Sequence, residues 1–120
     1  MTNEPSGPEV AYVSAPDIAA EIEWIARHAY TPPTDASAVR EIRLREAAAL
    51  DRIALQEEAA RPSEVAAESI ATAVQAAESL AAYDAKHGTL TYRGAELAGA
   101  EDFRAYVREE YRAWRHAQAS

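Results

Sequence analysis

The chain has 120 residues, no cysteine and a formal net charge of −8. That length makes one small domain, the missing thiols exclude disulfides and thiolate metal sites, and the negative balance argues against a general nucleic-acid binder, because backbone binding needs Lys and Arg to displace counterions. Alanine fills thirty positions while Leu, Ile, Val and Phe together fill nineteen, a level at which highly charged chains approach disorder. The apolar residues nevertheless recur at helical spacing, and Ala is the best helix former. The sequence therefore predicts an all-α fold with a thin core, a condition that favours close helix packing or burial against a second chain.

Residues 1–8, with two Pro, a Gly, an Asn and a Ser, read as a disordered tail ahead of a single helical domain over 9–120. The first residues have neither a basic start nor an apolar run, and nothing in the chain approaches the roughly 18 apolar residues of a membrane span; the expected location is cytoplasmic. Val10, Ala11, Tyr12 and Val13 form a β-favouring run that predicts a short strand over 10–13. Ser14 reads as the N-cap of a helix over 15–30, with Pro16 in its first turn. Ile18, Ile22, Ile25 and Ala29 line one face of that helix, and Trp24 shares another side with Glu21 and His28. Pro32 and Pro33 end it.

Thr34 or Asp35 caps a second helix over 35–60. Val39, Ile42, Leu50 and Ile53 mark one face, while Leu44, Ala48 and Leu55 mark nearly the opposite one. A helix with two apolar stripes must be covered on both sides, either at the centre of a bundle or partly by a second chain. Pro62 breaks the helix at Arg61, and Ser63 with Glu64 restarts one over 63–87. We expect the pair to form an antiparallel hairpin, since short loops join antiparallel neighbours; a single kinked rod is the competing arrangement. In the third helix Ala66, Ile70, Ala73, Ala77, Leu80 and Asp84 alternate steps of four and three, a heptad seam made mostly of methyl groups. Such a seam lets two helix axes approach toward the short end of the usual range. Residues 89–92 supply a second β-favouring run, the natural partner of 10–13 in a minor two-stranded ribbon. A final helix over 101–117 has Phe103, Tyr106, Val107, Tyr111 and Trp114 on its apolar face and closes the bundle. Arg104, Arg108, Arg112 and Arg115 form a stripe beside that face, expected first to be a solvated one pairing with Glu109, Glu110 and the acid-rich hairpin.

No constellation reaches a catalytic signature. Asp84 and His87 share a face without further metal ligands nearby, so the expectation is a solvated helix end. Glu21, Trp24 and His28 read as a surface pair beside a packed ring. The serines have no recognisable base, and no glycine-rich phosphate loop occurs. The chain is therefore expected to be no enzyme and to hold no cofactor or metal. The leading functional expectation is a protein–protein interaction or regulatory module, homodimeric through Leu44, Ala48 and Leu55, with the four arginines as a further partner-binding stripe. An acidic inhibitor that occupies a nucleic-acid-binding partner is the alternative, carried by Glu57, Glu58, Glu64, Glu68 and Glu78. A DNA-binding regulator using the arginine stripe as a recognition helix is the third; the acidic body repels DNA.

Overall fold

The computed structural model describes residues 7–31, 33–88 and 97–119. Within them the chain is helical throughout: a 3-10 turn at Pro8–Tyr12, then α1 (Ile18–Tyr30), α2 (Ala36–Ala60), α3 (Ser63–Lys86) and α4 (Ala100–Ala119). Residues 10–13 are not a strand. Gly7 turns the backbone with φ 87° ahead of Pro8, and the peptide groups then bond locally, Val10 N–H to the Gly7 carbonyl and Val13 N–H to the Val10 carbonyl. The turn points Tyr12 inward, where it is buried. The other expected strand, 89–92, lies outside the described residues.

Helix boundaries follow local chemistry. Helix α1 starts three residues later than expected, because Pro16 disfavours the α conformation at Ala15 and Asp17, not Ser14, accepts the Ala20 N–H at 2.8 Å. Asp35 caps α2 in the same way through Ala38 N–H and also takes the Ser37 hydroxyl. Arg61 and Pro62 are both extended, and α3 begins at the next residue. Its C-terminal end is closed by Gly88 at φ 72°, a conformation that glycine adopts without a Cβ penalty. Ahead of α4, the Asp102 carboxylate accepts from the Ala98 and Gly99 N–H groups, which suits the positive end of the helix dipole.

Helix α2 touches every other element and packs most extensively on α3. The end of α3 lies beside the start of α2: Tyr83 Oη donates to the Ala36 carbonyl, Arg40 meets Asp84, and Arg43 reaches Ser79. These contacts join the two helices on either side of the Arg61-Pro62 break. Their buried residues are mostly Ala: Ala47, Ala48, Ala49 and Ala54 on α2, Ala66, Ala73, Ala77 and Ala81 on α3. The expected seam on α3 is buried at every position except Ile70, which is half-buried.

The second stripe of α2 does not need a second chain. Leu44 and Ala48 are buried within this one, in a cluster with Ala77, Leu80, Tyr106, Val107 and Tyr111, and Leu55 packs on the edge of that cluster. With α3, α1, α4 and the 3-10 turn all packed on α2, Leu44 and Ala48 are covered inside the chain, while Val39, Ile42, Leu50, Ile53 and Leu55 are half-buried. Leu44 and Ala48 are therefore core residues and not partner-binding ones.

Candidate interaction surface

The arginine stripe of α4 divides into two kinds of residue. Arg104 is almost wholly buried and Arg108 nearly so. Both converge on Asp51 of α2, itself 1 % exposed. Its carboxylate accepts from Arg104 Nε at 2.7 Å, from Arg108 Nε at 2.7 Å and Nη2 at 3.0 Å, and from Tyr12 Oη at 2.7 Å. An ionised carboxylate has about four acceptor positions, so Asp51 is saturated. Arg104 also holds Glu58 of α2 and Glu101 of its own helix. Burial, then the charge and hydrogen bond of Asp51, push the Tyr12 phenol far above its usual range. One carboxylate thus ties the 3-10 turn, α2 and α4 together, and Arg104 and Arg108 are interior struts rather than partner contacts. Arg115 donates to the Ser14 carbonyl at 2.6 Å. Arg112 alone of the four is exposed.

Two further buried carboxylates are held in the same manner. Asp84 is fully buried on α3, where the expectation was a solvated helix end. It accepts from Arg40 Nε and Nη2 of α2 and from Tyr106 Oη of α4 at 2.6 Å, and Arg40 extends to Glu110 of α4. Burial, then the hydrogen bond to Asp84, raise the Tyr106 phenol. Glu21 of α1, expected at the surface, is 1 % exposed. Arg45 of α2 grips it with Nε at 2.6 Å and Nη2 at 2.9 Å, holds Glu41 with Nη1, and lies 3.5 Å over the Trp24 ring, on which His28 also stacks. His87 stacks on Tyr83 instead of joining Asp84. Among the described residues no group of three or more His, Cys, Asp or Glu could hold a metal ion.

These nodes were not recognised from sequence, yet a signal exists. Leu44, Ala48, Asp51 and Leu55 follow steps of four, three and four, so Asp51 occupies a core position of its stripe, as Asp84 does in the α3 seam. A carboxylate at a seam position requires buried cationic donors, and arginines at i,i+4 on a neighbouring amphipathic helix are the fitting ones.

Engaging cations in the interior leaves an acidic exterior. Among the described residues twelve exposed Asp and Glu stand against five exposed Arg and Lys, so the field a partner meets is negative. The outer face of α3 is one-sided: Glu64, Glu68 and Glu78 are exposed there, with Val65 52 % exposed beside them. No Lys or Arg occurs on that helix before Lys86. No described helix is long and apolar enough to cross a membrane. No protein-family model, curated protein or solved structure matches this chain.

Proposed function

We propose that the chain is a non-enzymatic interaction module, an alanine-rich helical hairpin within a four-helix bundle, that engages a basic partner protein through the outer face of α3. The observation that carries this reading is the run of Glu64, Glu68 and Glu78 on a helix face without a compensating cation. A negative face steers a positively charged partner toward it and suppresses acidic ones. In its sharper form the occupied surface on the partner is one that otherwise receives nucleic acid, since spaced carboxylates on a rigid helix present charge as a phosphate backbone does. Homodimerisation through Leu44, Ala48 and Leu55 loses its motive, because the chain covers that stripe itself.

The test is affinity capture on the immobilised chain with a salt gradient, run in parallel with a Glu64→Gln/Glu68→Gln/Glu78→Gln variant. The reading predicts a basic protein that is released between low and moderate salt, since exposed charges are screened beyond a Debye length of about 8 Å at physiological ionic strength, and that the variant fails to retain. A partner held equally by the variant, or released only by denaturant, contradicts it.

A further inference from the structure

We propose that the groove between the 3-10 turn and α4 is a docking site for an acidic amphipathic helix of a partner protein, separate from the α3 face. Two cavities, of about 610 and 370 Å³, lie along this groove and share Val10, Ala11, Glu109 and Arg112 in their walls. Together they follow α4 from Ala105 to Ala119, about 21 Å at 1.5 Å per residue. Val10, Val13, Ala113 and Ala119 give the larger cavity an apolar wall. Val13 is 65 % exposed, and both alanines are exposed, so this apolar surface opens to solvent.

The charge of the groove runs against that of the exterior. Arg112 and Arg115 line the larger cavity with His116, and among the described residues neither arginine meets a carboxylate. Arg112 is exposed, and Arg115 gives Nη2 to the Ser14 carbonyl. Glu109 is the one acid on the described walls of either cavity, and Arg108, on the smaller, already serves Asp51. A groove with a cationic balance on an acidic protein selects a negatively charged occupant. The backbone of that occupant is also constrained. An extended peptide needs partners for its own N–H and C=O groups, whereas the peptide groups of the turn bond among themselves and those of α4 within the helix. A helix satisfies its own backbone and presents only side chains. Apolar residues at i, i+3 and i+7 then fill such a groove, and carboxylates flanking them reach Arg112.

The experiment uses the full chain and a fluorescein-labelled helical peptide of about 14 residues, the length of the groove. Leucines occupy one face of the peptide, with Glu and Ala elsewhere; a control of the same composition has its leucines scattered. The site predicts a saturable rise in anisotropy with the first peptide and none with the second. It also predicts an affinity about tenfold weaker in Arg112→Glu and in Val13→Glu, and unchanged in Arg27→Glu, which makes the same change of charge on the exposed face of α1. Absence of binding, equal binding of the two peptides, or an equal loss in Arg27→Glu overturns the proposal. Amide chemical shifts of the wild type locate the peptide without any variant: perturbation of Val13, Ala113 and Ala119 supports the groove, and perturbation confined to α1 or α3 overturns it. Sedimentation in which the chain alone dimerises and Arg112→Glu does not gives the groove to a second copy and likewise overturns it.

Discussion

Arg40 on α2 and Asp84 on α3 face each other in a two-pronged pair, Nε to Oδ1 and Nη2 to Oδ2, both at 2.8 Å. The pair joins residues 44 positions apart, and Tyr106 of α4 completes it from a third helix. Replacing such a buried polar group by well-packed apolar residues is often neutral in stability, whereas removing one partner is strongly destabilising. Its value to this fold is geometric. Methyl-lined helices can slide along one another with little change in contact, and a bidentate pair accepts one register.

The two limbs of that argument separate in a mutant series. Asp84→Ala leaves Arg40 and the Tyr106 hydroxyl facing a gap and is expected to lower unfolding free energy by about 3 kcal/mol. The triple variant Arg40→Met/Asp84→Leu/Tyr106→Phe is expected to recover most of that loss. Urea unfolding of the three proteins checks it, and a loss below about 1 kcal/mol for Asp84→Ala would show that the pair is idle.

The alanine seam makes a second prediction. Ala77 is 1 % exposed between α3 and its neighbours, so Ala77→Leu forces added methyl groups into a filled space and is expected to cost about 1–3 kcal/mol. Ala82→Leu, one helix face away and exposed, is expected to stay within about 0.5 kcal/mol of the wild type. Equal effects at the two positions, measured by chemical unfolding, would contradict close approach of α2 and α3.

Alkaline pH should unlock the polar nodes. Burial raises the phenols of Tyr12, Tyr106 and Tyr111, with Asp51, Asp84 and Glu21 adding to the effect in turn. A group whose folded pKa lies above its unfolded value contributes stability that is complete below the unfolded value, about 10 for tyrosine, and is lost as pH climbs toward the folded one. Stability is therefore expected to be flat from these groups up to about pH 9.5 and to fall steeply beyond it, with a slope that Tyr12→Phe reduces by about one third. Urea midpoints from pH 8 to 11.5 give the slopes, and identical profiles for the two proteins would sink the assignment of Tyr12.

Much of the architecture was legible because it rests on short-range rules. The break at Pro62, the Asp35 cap and the alanine seam of α3 each follow from residues within a turn or two of one another. The strand expected at 10–13 failed for the opposite reason: Val10, Tyr12 and Val13 favour β structure in isolation, but Gly7, Pro8 and the burial of Tyr12 against Asp51 decide the outcome over a separation of 39 residues. The stripe of Leu44, Ala48 and Leu55 reads as apolar from the sequence but leaves a bundle centre and a second chain both open, since one helix pattern cannot reveal how many neighbours the same chain will supply. Spacing groups the arginines of α4 and composition predicts their pairing with the acid-rich hairpin, but neither separates the buried ones from the exposed one. What divides Arg104 and Arg108 from Arg112 is the position of Asp51 on another helix.

The account turns on the claim that Arg104 and Arg108 hold the fold together from inside instead of meeting a partner. A double-mutant cycle on Asp51 and Arg108, using Asp51→Ala, Arg108→Ala and the pair together in urea unfolding, measures it most directly. A coupling energy of about 2 kcal/mol, within the range for residues sharing one buried network, is the expected result; effects that simply add would place the Arg108 guanidinium in solvent and contradict the account.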